Sequence, residues 1–240
     1  MTQKGYEGAV AVVTGGASGI GAAVVDKLRV AGARVLIADL TPAGPDSFVV
    51  DVADAESVAA LAVTLREQSG RCDLLVNSAG VAEVGNILEC SEQAWARVFD
   101  VNVRGVWQTS RHVLPLMPVG SAIVNVASGA GLRPIPNMAA YVASKAAVIG
   151  LSRAMALDHA ASGIRVNCVC PGLVDTPLAA NTQHHRSRES QQAVAEFDGY
   201  LVKRLASAEE IADAVCYLGS PAAGYVTGAT LAVDGGRTLH

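Results

Sequence analysis

The sequence is poor in aromatic residues and has no excess of positive charge. Phe, Trp and Tyr make up 4% of its 240 residues, and the formal net charge is −4. Proteins that bind nucleic acids or anionic membranes usually present a basic surface, so the composition favours neither partner. No apolar run reaches the roughly 18 residues that a membrane-spanning helix needs. The composition therefore gives no reason to expect a nucleic-acid-binding or membrane-spanning protein.

Cysteine is also scarce, and its pattern does not indicate a disulfide framework or a metal centre. The five cysteines are scattered, and Cys168 and Cys170 alternate on a predicted strand, a spacing that differs from a zinc knuckle. We predict buried, reduced thiols and no metal site. The chain begins without the apolar core of a signal peptide, which predicts a cytoplasmic protein.

Short β-branched runs alternate with longer alanine-rich stretches, which is typical of βαβ units around a parallel sheet. The predicted strands are Ala9–Thr14, Arg34–Ala38, Ser47–Val50, Asp73–Asn77, Ser121–Ala127, Arg165–Cys170 and Ala229–Val233. The predicted helices are Gly19–Ala31, Ala55–Gln68, Glu92–Val98, Val103–Leu114, Ala140–Ala161 and Ala208–Leu218. The strands are apolar throughout, as expected for a sheet covered on both faces. We therefore predict an α/β protein with a single-domain Rossmann fold over residues 1–240, with a doubly wound, mostly parallel, seven-stranded sheet.

Two segments extend this interpretation. The polar stretch Ala179–Gln192 predicts a substrate lid at about residues 173–205. Its basic run His184–Arg188 could clamp an anionic group of the substrate or could be a solvated loop. We favour the solvated loop. The helix Ala140–Ala161 is apolar or small around nearly its whole circumference. One face must pack on the sheet, and the rest predicts burial against another copy of the chain or shielding by loops.

A glycine-rich turn follows the first strand and leads directly into a helix. In the segment 14–21, Gly15, Gly19 and Gly21 allow a tight turn and close approach to a pyrophosphate at the helix N-terminus. Asp39, eighteen residues after Gly21, is placed to accept hydrogen bonds from a ribose and to repel a 2′-phosphate. Ser18 and Leu40 offer no cation for such a phosphate, so the sequence favours NAD over NADP.

The stretch between Asp39 and Phe48 is unusually short. About eight residues are too few for a full crossover helix between parallel strands. We expect a short turn and a more open adenine side, and a displaced Asp39 would weaken the preference for NAD.

Tyr141 and Lys145 stand four residues apart on a predicted helix, with Ser128 thirteen residues before Tyr141. Positions i and i+4 share a helix face, so the phenol and the ammonium lie side by side. A nearby cation lowers the pKa of a tyrosine and makes it a better base. The Ser128 hydroxyl at a strand end is then placed to hold a substrate oxygen.

Together these motifs resemble the short-chain dehydrogenase/reductase superfamily, from about Ala9 to Gly236. Asn77-Ser78-Ala79-Gly80 is similar to the family's Asn-Asn-Ala-Gly segment, with Ser in place of the second Asn. Further matches are Asp51-Val52, the segment 171–176 and the closing Val233–Gly236. The resemblance implies a cofactor site formed by Gly15, Ser18, Gly19, Ile20, Gly21, Asp39, Leu40, Asp51, Val52, Asn77, Ala79, Gly80, Tyr141, Lys145, Pro171, Gly172, Val174 and Thr176.

The resemblance also implies four catalytic residues. Tyr141 is the expected general acid/base, Lys145 lowers its pKa and holds the nicotinamide ribose, and Ser128 donates a hydrogen bond to the substrate oxygen. Asn102 is expected to hold a water that connects Lys145 to solvent. Taken singly, Asn102 fits a helix cap and Ser128 a turn residue. Tyr141 alone fits a half-buried interface phenol, and Lys145 alone fits a solvated side chain.

The expected function is oxidation of a secondary alcohol with NAD, in a homo-oligomer that the family resemblance suggests is a tetramer. By family position, an apolar substrate pocket is expected to contain Ser128, Ala130, Leu132, Met138, Val174 and Leu178. Two alternatives remain: a 3-oxoacyl reductase acting on an acyl carrier, which usually prefers NADPH, and a nucleotide-binding regulatory protein that has lost the reaction.

Overall fold

A computed structural model describes residues 5–41, 44–180 and 199–239. In this part of the chain, seven parallel strands form one sheet in the order β3-β2-β1-β4-β5-β6-β7. The strands are β1 (Val10–Thr14), β2 (Arg34–Asp39), β3 (Ser47–Val49), β4 (Leu74–Asn77), β5 (Ala122–Val126), β6 (Arg165–Pro171) and β7 (Thr230–Val233). The α-helices are α1 (Gly19–Val30), α2 (Ala55–Gln68), α3 (Glu92–Phe99), α4 (Gly105–Val113), α5 (Ala139–His159) and α6 (Ala208–Gly219). The predicted Rossmann architecture is confirmed.

The sheet carries a hydrophobic core on each face. Successive strand residues point to opposite sides, so Val10 and Val12 of β1 enter one core while Ala11 and Val13 enter the other. Helices α2, α4 and α5 cover the first core, and α1 and α6 cover the second. All five residues of β1 are buried, which explains why the strands are apolar rather than alternating.

Local sequence explains where several helices begin and end. Ser207 accepts from the backbone N–H of Glu210, whose carboxylate accepts from the Ser207 N–H, and this capping box starts α6. Asp54 caps α2 by accepting from the Glu56 N–H. After α5, Gly163 adopts a left-handed conformation with φ of 69°, which favours glycine.

The functional end of the fold follows from the strand order. The order reverses between β1 and β4, and ligands of such sheets bind in the crevice beyond the carboxyl ends of the strands at this point. The segments that leave β1, β4, β5 and β6 at that edge carry Gly15, Gly80, Ser128 and Gly172. The fold therefore gathers the sequence motifs at one edge of the sheet.

The structure corrects one predicted boundary and agrees with the expected short turn. The two helices predicted at 92–98 and 103–114 are joined, because a π-helical turn at Asp100–Arg104 connects α3 to α4. The described residues between β2 and β3, namely 40, 41 and 44–46, contain no helix.

The five cysteines are free, as predicted, and all except the partly exposed Cys90 are buried. Across the described ranges, no helix is long and apolar enough to cross a membrane.

Candidate active site

A cavity of about 1510 Å³ lies along the carboxyl edge of the sheet. It runs from the glycine loop and the end of β2, past the loops after β4 and β5, to the loop after β6 and the C-terminal turn. Pockets for small ligands usually have volumes of about 300–1,000 Å³. The larger volume suits an extended ligand together with a smaller one.

The glycine loop is shaped for close approach of another group. Gly15 has φ of +66°, and a Cβ placed there would lie 2.7 Å from the Cα and N of Ala79. A Cβ on Gly21 would lie only 2.0 Å from the carbonyl oxygen of Gly15, so the start of α1 packs directly under the loop. Ser18, the N-cap of α1, makes no side-chain cap bond, and the first turn contains no acidic residue. The open N–H groups and the helix dipole therefore suit the pyrophosphate of a dinucleotide.

Asp39 lies at the end of β2, beside the glycine loop, and lines the cavity with Leu40. Its carboxylate accepts from the Ala17 N–H at 3.0 Å and from the Thr41 N–H at 3.1 Å. The short β2–β3 connection has therefore not moved Asp39 away from the cavity. Its position fits the ribose-binding acid expected from the sequence.

Most of the other predicted cofactor residues also line the cavity. These are Gly15, Ser18, Gly19, Ile20, Asp51, Val52, Ala79, Gly80, Tyr141, Lys145, Pro171, Gly172, Val174 and Thr176.

Two predicted cofactor residues, Asn77 and Gly21, do not line the cavity. Asn77 is 2% exposed and bonds within the protein, donating to the Asn125 side chain at 2.8 Å and accepting from the Thr109 hydroxyl at 2.6 Å. Gly21 is buried beneath Gly15. Asn77 therefore joins the ends of β4 and β5, and Gly21 packs against the glycine loop.

Ser128, Tyr141 and Lys145 all face the cavity. Ser128 follows β5 and caps the 3-10 turn Gly129–Gly131 by accepting from the Ala130 N–H at 3.1 Å. Tyr141 lies in the first turn of α5, and the Lys145 Nζ lies 5.7 Å from the centre of its ring. The turn rests directly on α5, because a Cβ on Gly131 would lie 2.8 Å from the carbonyl carbon of Lys145. This packing fixes the hydroxyl relative to the phenol and the ammonium.

Burial shifts the pKa values of this pair. Desolvation raises the pKa of Tyr141, and the neighbouring Ser128 hydroxyl opposes the rise. Desolvation also lowers the pKa of Lys145 to about 8. The Lys145 ammonium donates to the Val126 carbonyl at 3.0 Å and is 5% exposed. The net direction for Tyr141 is therefore a raised pKa, because the loss of hydration outweighs the hydrogen bond with Ser128.

Asn102 lies behind the cavity wall rather than in it. It belongs to the π-helical turn between α3 and α4, so it is not a helix cap. Its side chain accepts from the Val81 N–H at 2.8 Å and donates to the Val81 carbonyl at 2.9 Å and to the Ser144 hydroxyl at 3.0 Å. These bonds tie the segment after β4 to α5 beside Lys145. Such π-helical turns are frequent at functional sites.

The substrate end of the cavity differs in part from the prediction. Ala130, Met138, Val174 and Leu178 line it as expected. Leu132 does not line it and is 40% exposed. Sequence reasoning missed several lining residues from other segments, with no motif to identify them: Val81, Ala82, Ile135, Pro136, Tyr200 and Arg237. The basic run His184–Arg188 lies outside the described residues.

Comparison with known proteins agrees with this architecture. A family model described as enoyl-(acyl carrier protein) reductase matches residues 15–238. The chain is 42% identical to a cis-4-hydroxycyclohexanecarboxylate dehydrogenase of Sinomonas cyclohexanicum over 247 residues, covering 95% of this chain and 96% of that protein. It is 35% identical to a meso-2,3-butanediol dehydrogenase of Serratia marcescens, covering 97% of this chain and 96% of that protein.

A solved structure gives the same result for the fold. The ligand-free aldohexose dehydrogenase of Thermoplasma acidophilum matches with a TM-score of 0.92 and 32% identity, covering 98% of this chain and 96% of that chain. Both sequence and structure comparisons therefore extend over nearly the whole chain.

Proposed function

The chain belongs to the short-chain dehydrogenase/reductase superfamily, and on this premise we propose that it is an NAD-dependent dehydrogenase that oxidises a secondary alcohol to a ketone. The named relatives are dehydrogenases that act on CH–OH groups, and dehydrogenases of this family use a nicotinamide cofactor. The observation that carries the proposal is that Ser128, Tyr141 and Lys145 face one cavity that also contains the glycine loop.

The proton chemistry is assigned to these three residues. A nicotinamide held in this cavity by residues such as Gly15 and Asp39 would supply the acceptor for the hydride of the alcohol carbon. The Tyr141 phenolate accepts the hydroxyl proton, and the Ser128 hydroxyl donates a hydrogen bond to the substrate oxygen as its charge changes. The Lys145 ammonium stabilises the phenolate from its fixed position beside the ring. Asn102 holds the backbone at Val81 and the Ser144 hydroxyl, and so supports the segment around Lys145.

The preference for NAD rests on Asp39. Its carboxylate lines the cavity next to the glycine loop, and the neighbouring lining residues Ser18 and Leu40 carry no positive charge. A ribose hydroxyl can donate to this carboxylate, whereas a 2′-phosphate would be repelled by it. A strong preference for NADPH would instead favour the alternative of a reductase acting on acyl-carrier substrates.

The test is NADH formation across a panel of neutral and acidic secondary alcohols, with Tyr141→Phe measured alongside. The panel begins with 4-hydroxycyclohexanecarboxylate and 2,3-butanediol, after the substrates in the names of the two relatives. We expect kcat to fall by at least about 100-fold in the variant, because the phenylalanine cannot take up the proton. NADH binding, followed by fluorescence, should persist. Wild-type protein that binds NADH but oxidises no alcohol would support the alternative of a nucleotide-binding regulatory protein.

We also propose that the chain forms a homo-oligomer, with a tetramer as the expected state. The exposed face of α5 carries small or apolar residues about one turn apart, and its Leu157 is 81% exposed. The members of this face are Ala146, Gly150, Ala154 and Leu157. A second copy covering it would remove this surface from water. Light scattering tests the proposal, and a monomer at micromolar concentration for the wild-type chain would contradict it.

A further inference from the structure

The C-terminal turn places a guanidinium in the wall of the cavity. Arg237 begins the short 3-10 turn Arg237–Leu239, is half-buried, and lines the cavity. Its Nη1 donates to the Arg133 carbonyl at 3.0 Å, and its Nη2 makes a longer contact of 3.5 Å with the Pro134 carbonyl. The Arg133 guanidinium in turn donates to the Arg237 carbonyl at 2.9 Å. The two segments therefore hold Arg237 in a defined position.

No carboxylate within the described ranges neutralises Arg237. By contrast, Arg97, another cation in the cavity wall, pairs with Glu83 at 2.8 Å. The nearest acid in the sequence, Asp234, is already engaged by the Gly236 N–H and by the N–H and hydroxyl of Thr238. A guanidinium has more N–H donors than two carbonyl bonds use, and its planar fork matches a carboxylate.

We propose that Arg237 binds a carboxylate on the substrate, which makes carboxylate-bearing secondary alcohols the preferred substrate class. The inference rests on the proposed dehydrogenase function and adds the group that selects the substrate. Arg237 thus takes the role of anion-binding residue that the sequence interpretation considered for the basic run at 184–188.

Arg237 is anchored close to the residues assigned to the reaction. Its partner Arg133 follows Ser128 by five residues, which span at most about 18 Å when fully extended. The 3-10 turn Gly129–Gly131 shortens that path. The C-terminal turn also packs against it, since a Cβ on Gly129 would lie 3.7 Å from the Thr238 Cγ2. The turn that carries Arg237 therefore lies next to the turn that follows Ser128, in the wall of the same cavity.

The surroundings of Arg237 suit a carbon skeleton with an acidic end. The guanidinium lies 6.0 Å from the centre of the Tyr200 ring, and Ile135, Pro136 and Met138 contribute further apolar surface to the cavity. A hydrogen-bonded ion pair gains strength where water is partly excluded. Loss of such a charged partner typically weakens binding by about ten- to 100-fold.

The experiment compares 4-hydroxycyclohexanecarboxylate with its neutral carboxamide in the wild type, Arg237→Gln and Arg237→Lys. We expect the acid-to-amide ratio of kcat/KM to fall by about tenfold or more in Arg237→Gln. Arg237→Lys should retain part of the ratio, because it keeps the charge but loses the planar fork. Arg97→Gln removes a cavity cation that is already paired, and should leave the acid-to-amide ratio near that of the wild type.

A binding measurement independent of turnover completes the test. Cyclohexanecarboxylate, which has no hydroxyl to oxidise, is titrated by calorimetry into the NADH complex of each variant, and its Kd should rise about tenfold or more in Arg237→Gln. An unchanged Kd and an unchanged ratio would overturn the inference. So would a parallel loss for acid and amide together with a lower Tm, since Arg237 would then only fasten the C-terminal turn.

The same measurements separate this inference from the function on which it rests. Oxidation of neutral alcohols without any preference for acids would leave the dehydrogenase standing and remove the carboxylate site. Failure to oxidise any alcohol would remove the dehydrogenase, and calorimetry would still decide whether Arg237 binds the carboxylate.

Discussion

The two ends of the cavity are built in different ways. At the cofactor end, the glycine loop is one short continuous segment, in which Gly15 and Gly21 pack at distances that only glycine permits. The substrate end joins distant segments, as in the bond between Arg133 and Arg237, which are 104 residues apart. Backbone geometry therefore dominates at the first end and side-chain chemistry at the second. We infer from this difference that local structure determines the class of reaction, whereas packing between distant segments determines the substrate.

A single methyl group added at Gly21 should weaken cofactor binding and leave the substrate end of the cavity intact. In Gly21→Ala, the Cβ would lie 2.0 Å from the Gly15 carbonyl oxygen, so the loop must move. We expect the Kd for NADH, measured by fluorescence titration, to rise by about 100-fold or more. Ala22→Gly is the matched control, because it weakens the same helix without adding a clash. Equal effects in both variants would show that helix stability matters rather than the close approach.

Tyr141 and Lys145, which lie between the two ends of the cavity, should make the rate of alcohol oxidation depend on pH. Oxidation needs the phenolate of Tyr141, and burial raises the pKa of this residue. The kcat/KM for alcohol oxidation should therefore increase with pH, by about tenfold per unit below that pKa. Below about pH 8, where Lys145 keeps its proton, kcat/KM should be lower in Lys145→Met than in the wild type by about tenfold or more, because the cation that favours the phenolate is absent. Superimposable pH profiles for the two proteins would contradict the role assigned to Lys145.

Cofactor choice provides the finest test of the comparison. Asp39→Asn keeps the shape of the side chain and removes its charge, so the repulsion of a 2′-phosphate should be lost. We expect the NAD-to-NADP ratio of kcat/KM to fall by about tenfold, since a unit charge near the surface is worth about 1 kcal/mol or more. Asp51→Asn, at another carboxylate of the cavity, is the control and should leave the ratio unchanged. An unaltered ratio in Asp39→Asn would remove the argument for NAD.

The sequence predicted best those features that depend on neighbouring residues. Strand and helix order follow from periodicity, and the spacing of Tyr141 and Lys145 directs both side chains toward one cavity. The sequence predicted less well those contacts in which a residue meets a partner far away in the chain. Asn77 bonds to Asn125 and Thr109 instead of facing the cavity, and Leu132 is exposed.

The sequence by itself determined the alternation of strands and helices, the glycine loop and the helical pair of Tyr141 and Lys145, because each depends on spacings within one element or one turn. Only the tertiary structure decided that a π-helical turn brings Asn102 against Val81, and that Arg237 lines the cavity next to Tyr200. These contacts form when segments far apart in the chain pack around one sheet. Their geometry depends on packing that no short stretch of sequence encodes.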